Sequence, residues 1–446
     1  MKVVILGAGI AGLSAGYHLK QKGIESVIYE KDSTWGGLCG NFVVDNFLFD
    51  KAVHLSFAKD KYVQDFFADS TELIKHIPVA YNYYESKWLR HPAQNNLAPL
   101  DSDEKVEIIN DFIENKNTKR RVNDYADWLI AQFGEVFATK FPFKYTRKYW
   151  CKEAQEMGVK WLESAAGSRF YKPNMKEVLK GAFETQDFNF YYAKEMRYPK
   201  SGGYKSFFKK AQKECNIAYN KEVVGIDSKE KILYFKDGTN DNYDKLISSL
   251  PLPLYADLLS LRNVTGGGGA TPLRRKDSIK ITQKIIDTAN KLQYTSVALI
   301  SLGFNKPQIP KYLWFYIYDE DILPARCYSP SIKSPQNTPK NTSSMQFEIY
   351  FTREKPLKIK GEKLINHVVE KGVKMGLFKS EDICVKDFRI APFGNVTFYK
   401  GMEKDRKILL DFLAKNEIIP IGRFGKWEYL WSDEAFLSGK NATDLI

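Results

Sequence analysis

The chain begins with a strand–turn–helix–strand segment that few folds can use. Lys2-Val-Val-Ile-Leu6 is a short apolar run, and Gly7-Ala-Gly9-Ile10-Ala11-Gly12 follows it directly. Leu13 to Lys20 reads as a helix, and a second apolar run, Val27-Ile-Tyr29, ends in Glu30. This is the order of a βαβ dinucleotide-binding unit. In such a unit Gly7 permits a tight turn, Gly9 lets the backbone approach a pyrophosphate, and Gly12 lets helix and strand pack closely. The first N–H groups of the helix, around Ile10 and Ala11, are free for the phosphates. Glu30 can accept hydrogen bonds from ribose hydroxyls, and its charge argues against a 2′-phosphate there. A secretory leader is not expected, because three glycines interrupt the run and only Lys2 precedes it.

The residues beyond Glu30 separate two cofactors. Lys31 leads into Trp35-Gly36-Gly37-Leu38, and Asn46-Phe-Leu-Phe-Asp50 leads into Lys-Ala-Val-His54. A unit that binds NAD usually continues into another helix here. The segment instead resembles flavoproteins of the amine-oxidase and protoporphyrinogen-oxidase type. In those proteins the second glycine turn lies along FAD, and the following strand brings a residue towards the flavin. The resemblance implies FAD held by Gly7, Gly9, Ile10, Ala11, Gly12, Glu30, Lys31, Gly36, Gly37 and Leu38, with Val223, Gly422 and Arg423 joining from later in the chain.

At 446 residues the chain exceeds one typical core, so two or three interleaved subdomains are expected. An aromatic content of 14% suits a large, partly apolar ligand cavity. No window approaches the roughly 20 apolar residues of a membrane span, which leaves only a peripheral membrane contact open. Cysteines at 39, 151, 215, 327 and 384 have no metal-ligand spacing. They read as free thiols in a reducing cytoplasm, with no metal site. The formal charge of +13 is spread along the chain and forms no nucleic-acid module. An anionic substrate accounts for part of the excess, and a solvated lysine-rich surface for most of it.

The expected architecture is α/β: a discontinuous Rossmann-type FAD-binding domain, a helical subdomain and an antiparallel-sheet substrate subdomain. Residues 1–60, 200–250 and 395–446 read as the FAD domain. Residues 61–199 read as mainly helical, without strong strand alternation. Residues 251–394 read as a mixed α/β substrate-binding subdomain, with alternating runs such as Ser344-Met-Gln-Phe-Glu-Ile-Tyr350. A glycine-rich loop near 265–276 has no assigned role.

Further segments resemble the eukaryotic-type UDP-galactopyranose mutases. His91-Pro92-Ala-Gln94-Asn95-Asn96 looks like their Pro-x-Gln-Asn-Asn segment, in which the glutamine contacts uridine. Lys144 to Trp150, then Met157 and Trp161-Leu162, resembles a helix of that family. The arginine that follows there is matched by Arg169. Trp314-Phe-Tyr316, Arg326 and Gly422-Arg423-Phe-Gly425-Lys-Trp427-Glu-Tyr429 match segments that hold the substrate diphosphate and flank the flavin. A pyrophosphate needs guanidinium forks and hydroxyl donors to leave water without loss. Arg326, Arg423, Tyr316 and Tyr429 supply that set.

Several positions depart from the pattern. Ala52-Val53 replaces paired glycines ahead of the flavin-facing His54. Lys333 stands where a substrate tyrosine is expected, Asn395 falls near another, and Asp433 replaces an asparagine four residues after Tyr429. A pairing of Asp433 with Lys333, or contact of Asp433 with sugar hydroxyls, is expected.

The resemblance implies a nucleotide-sugar mutase, in which pyranose and furanose forms interconvert through an adduct at N5 of a reduced flavin, for surface glycan synthesis. His54, Arg326 and Arg423 would be its catalytic residues. Its partners would be a nucleotide-diphospho-sugar and a reductant such as NAD(P)H or a flavin reductase. An amine-oxidase-like or protoporphyrinogen-oxidase-like enzyme is the alternative, and a non-catalytic FAD-bound scaffold is the third. Neither the sugar nor the oligomeric state is legible.

Overall fold

The computed structural model describes residues 1–116, 120–163, 170–187, 195–261 and 281–446. Arg169 and the glycine-rich stretch 265–276 lie outside the described residues.

Five strands form a parallel sheet in the order Ile418–Pro420, Lys245–Ser248, Val3–Leu6, Ser26–Tyr29 and Asn216–Ala218. The sheet thus takes strands from the beginning, middle and end of the chain. Val3 to Leu6 are all buried, as a central parallel strand covered on both faces requires. Helix Ile10–Gln21 follows the first strand and packs against helix Ser432–Ala442. Gly439 allows that approach, because a Cβ there would stand 2.1 Å from the Ala11 carbonyl oxygen.

Seven strands form the second sheet, in the order Ile383–Val396, Tyr294–Phe304, Ser343–Phe351, Arg326–Tyr328, Trp314–Ile317, Ala80–Tyr84 and Lys87–Arg90. All neighbours are antiparallel except Trp314–Ile317 and Ala80–Tyr84, which run parallel. Ala298, Ile300 and Leu302 pack with Leu364 and Val368 of helix Glu362–Lys374 on one face. The register sets Tyr316 opposite Arg326 and Arg326 opposite Glu348 on the other. Directly paired residues share a face, so these three side chains stand in a row.

The stretch expected to be mainly helical does carry helices Ser102–Lys116, Tyr125–Phe133, Lys144–Tyr149 and Met175–Phe183. It also carries four strands that the reading missed: Leu73–His76 pairs with Met196–Pro199, and Ala80–Tyr84 with Lys87–Arg90. The segment from Lys144 to Leu162 is not one helix. After Tyr149 it breaks into single 3-10 turns at Ala154–Glu156 and Lys160–Glu163. A π-helical turn containing Pro142 precedes Lys144–Tyr149. Such turns re-aim the side chains that follow.

Candidate active site

The glycine turns form a cradle at the end of the first strand. Gly7 has φ +93°, and a Cβ on Gly12 would meet the Gly7 carbonyl oxygen at 1.9 Å. Gly12 therefore keeps the helix close to the turn. A Cβ on Gly9 meets nothing within 4 Å, and no side chain caps the helix that begins at Ile10. The Leu13 N–H is bonded to the Gly9 carbonyl. The second glycine turn closes on the first: the Gly36 N–H donates to the Ala8 carbonyl, and a Cβ on Gly37 would lie 3.3 Å from the Gly9 Cα. Glu30 is buried, and its carboxylate accepts from the N–H groups of Ala8 at 2.7 Å and Asp32 at 2.9 Å. The Lys221 N–H donates to the Glu30 carbonyl, and strand Val223–Asp227 begins two residues later. Lys31 is exposed.

A cavity of about 300 Å³ opens beyond the cradle. Leu38 and Arg423 mark the join, because each lines the cavity and each follows a glycine packed on the cradle. Gly37 abuts Gly9, and a Cβ on Gly422 would stand 2.9 Å from the Ala11 Cβ. An empty surface at Gly9, uncapped helix N–H groups and a passage from cradle to cavity fit a dinucleotide whose pyrophosphate lies at Gly9 and whose far ring enters the cavity.

The structure brings His54, Gln94, Trp314, Tyr316, Arg326, Asn395, Arg423, Tyr429 and Asp433 to that one cavity, although they span nearly 400 positions of the sequence. Most of the remaining wall is aromatic, including Tyr145 and Tyr149 from the helix after the π turn. Gln94 donates from Nε2 to the Tyr171 carbonyl at 2.8 Å. Asn395 accepts from the Tyr149 hydroxyl at 3.1 Å, and Trp314 Nε1 donates to the Tyr316 hydroxyl at 3.2 Å.

Two expected ligand residues stand elsewhere. Asn95 is fully buried away from the cavity, in a turn that Gly181 approaches closely. Lys333 is fully buried in an ion pair with Asp50, Nζ to Oδ2 2.6 Å, with its ammonium 4.1 Å from the Tyr328 ring centre and 4.4 Å from that of Tyr198. It does not pair with Asp433. Asp433 instead lines the cavity at the start of helix Ser432–Ala442, where burial pushes its carboxyl above the usual range.

The two arginines differ. Arg326 Nε is ion-paired with the wholly buried Glu348, and Nη2 donates to the Tyr350 hydroxyl at 2.9 Å. Its charge is already compensated, so it is not the free fork expected from the resemblance. Arg423 donates from Nε and Nη2 to the Leu430 carbonyl at 2.7 and 2.5 Å. No carboxylate pairs with it among the described residues. Glu348 and Asp50 were not singled out. The signal for Glu348 is Gln346, Glu348 and Tyr350 alternating in an otherwise apolar strand, which places three polar side chains on one face.

His54 Nδ1 lies 3.1 Å from the Ala52 carbonyl, so it carries the proton and leaves Nε2 as an acceptor. Burial pushes the His54 imidazole down to about 4, and that of His91 likewise to about 4. Both are therefore neutral at pH 7. Between about pH 4 and 6.5 the unfolded chain binds these protons and the folded chain does not, so stability falls on acidification through that window. One pKa unit corresponds to about 1.4 kcal/mol, and both rings border cavity solvent, so about 1–3 kcal/mol for the two together is expected. Urea midpoints between pH 4 and 7 should show a steeper fall for wild type than for His54→Asn/His91→Asn. Parallel curves would refute the assignment.

No group of three metal-ligating side chains occurs among the described residues, and no helix among them is long and apolar enough to cross a membrane.

A family model described as a NAD(P)-binding Rossmann-like domain matches residues 5–70. No curated protein matches the chain by sequence. Among solved structures, a reduced UDP-galactopyranose mutase matches with a TM-score of 0.86 and 23% identity, over 99% of this chain and 94% of that one. A putative protoporphyrinogen oxidase from Exiguobacterium sp. 255-15 matches with a TM-score of 0.72 and 12% identity, over 100% of this chain and 98% of that one. A putrescine oxidase variant matches with a TM-score of 0.62 and 12% identity, over 99% and 98% of the two chains. From end to end, this chain has the α/β fold that UDP-galactopyranose mutase shares with these oxidases.

Proposed function

We propose that the chain is an FAD-dependent nucleotide-sugar mutase that interconverts the pyranose and furanose forms of a nucleotide-diphospho-sugar. The observation that carries this reading is the join at Leu38 and Arg423, which sets an arginine with no carboxylate partner among the described residues where the cofactor cradle meets the aromatic cavity. Gly9, Gly37, the start of helix Ile10–Gln21 and Glu30 would hold FAD. The chemistry FAD would supply there, if bound in its reduced form, is an electron-rich centre facing the anomeric carbon of the sugar.

The chain's own residues do the rest. Arg423 offsets the charge of the departing diphosphate and the Tyr429 hydroxyl donates to it, in a cavity where low polarity strengthens each contact. The aromatic walls stack on the nucleobase and exclude water. Gln94, held by Tyr171, turns its remaining oxygen towards a nucleobase N–H. His54 offers a neutral Nε2 acceptor at the cavity wall. Asp433 receives sugar hydroxyls, which a carboxyl can accept where a second phosphate charge would repel it. The reductant would be NAD(P)H or a flavin reductase.

Arg423→Ala should weaken UDP binding about ten- to a hundredfold, from the loss of a charge-assisted contact of about 1.5–3 kcal/mol. Arg423→Lys should recover little. Calorimetry measures this directly, and an unchanged Kd would sink the site. The function itself is tested by incubating reduced protein with UDP-hexoses and assaying ring interconversion. A thermal-shift panel of UDP, GDP, dTDP and CDP identifies the nucleotide, since a ligand of the folded state raises the melting temperature.

A second reading, an FAD oxidoreductase acting on an aromatic substrate, draws on the Arg326–Glu348 pair, which removes one positive charge from the cavity. It requires rapid flavin reduction by substrate, followed by oxygen consumption, and no response to nucleotides.

A further inference from the structure

Ala52 has φ +102°, a conformation that suits glycine and strains any residue with a Cβ. The resemblance placed a glycine here. The backbone at this position has a glycine-like conformation although the residue is alanine. Strain of this kind persists only where the surroundings over-determine the segment.

Two buried charges do so here. From one side Lys333 donates to Asp50 at 2.6 Å and to the His54 carbonyl at 3.4 Å. From the other, Glu348 Oε1 accepts from the Val53 N–H at 2.5 Å. The second oxygen of the same carboxylate accepts from Arg326 Nε and from the Tyr350 hydroxyl. One wholly buried side chain therefore grips both the cavity arginine and the turn that carries His54.

We propose that Glu348 is a positioning residue that couples Arg326 to the Asp50–His54 turn, so that an anion engaging Arg326 shifts the turn and re-aims His54. This rests on the mutase reading for the identity of the anion, a nucleotide diphosphate, but not for the coupling. An anion at Arg326 competes with Glu348 for the guanidinium. The freed carboxylate oxygen then redistributes its bonds between Tyr350 and the Val53 N–H. The turn responds because its conformation at Ala52 is held by neighbours rather than preferred.

The test is amide hydrogen exchange of residues 51–55 in FAD-loaded protein, with UDP as the probe and calorimetry alongside. In the absence of nucleotide, Arg326→Lys should change exchange at Val53 by about threefold or more, although Arg326 has no bond to the turn. Saturating UDP should alter the same amides in wild type. In Glu348→Gln both responses should vanish, while UDP binds about tenfold more tightly because its competitor has lost its charge. Ala52→Gly should raise the melting temperature by about 2 °C by relieving strain.

Unchanged exchange at 51–55 in Arg326→Lys overturns the coupling, even if Glu348→Gln fails to fold. So does UDP binding that leaves these amides unmoved in wild type. Should UDP bind to no form while Arg326→Lys still moves the turn, the mutase reading falls and the coupling stands.

Discussion

Gly9→Val is expected to leave the chain folded and to abolish retention of FAD. Gly9 has φ −73° and ψ −179°, an extended conformation that valine adopts readily. Its Cβ would meet nothing within 4 Å, so the protein itself offers no clash. The space the valine enters is where the glycine turn leaves room for a pyrophosphate. Affinity should fall by at least about a hundredfold, about 2.7 kcal/mol. Gly12→Ala makes the contrast, since its Cβ would lie 1.9 Å from the Gly7 carbonyl oxygen and the helix would have to move. Purified Gly9→Val protein with wild-type circular dichroism and no flavin absorbance is the expected outcome. Wild-type flavin content in that variant would show that the cradle does not hold the cofactor.

The cradle was legible because its signal is local. Gly7, Gly9, Gly12 and Glu30 fall within one strand–helix–strand unit, and spacing alone describes their geometry. The strands Ala80–Tyr84 and Lys87–Arg90 were not legible. Their partner Trp314–Ile317 lies more than 200 residues away, and the tyrosines around position 82 obscure any alternation.

The site divides along the same line. Segments that carry the resemblance converge on one cavity, and position 52 has a glycine-like conformation although it is alanine. Pairings across the chain escaped. Nothing near Lys333 reveals that its partner is Asp50, and nothing near Arg326 reveals that Glu348 stands opposite it in the ladder. Charge compensation is a property of the folded register, so the role of each arginine could be divided only once the partners were seen.

Lys333→Met is expected to have the largest effect on stability, about 3–5 kcal/mol, because it leaves a buried carboxylate without its cation. Both side chains of the Lys333–Asp50 pair are 0% exposed. Asp50 would retain the Tyr198 hydroxyl at 2.8 Å and the Tyr204 N–H at 3.0 Å, but neutral donors do not replace an ammonium at 2.6 Å. The unpaired carboxyl should then hold its proton in the folded state. A group whose folded pKa is raised contributes stability at low pH that is lost as pH rises through that value. The deficit relative to wild type should therefore be larger at pH 7 than at pH 4. Asp50→Asn/Lys333→Met removes the stranded charge and keeps an acceptor for Tyr198 or Tyr204, so it should recover much of the loss. A double-mutant cycle by urea unfolding isolates the pairwise energy. A single-variant loss below about 1 kcal/mol, or a deficit independent of pH, would mean that the pair adds little beyond packing.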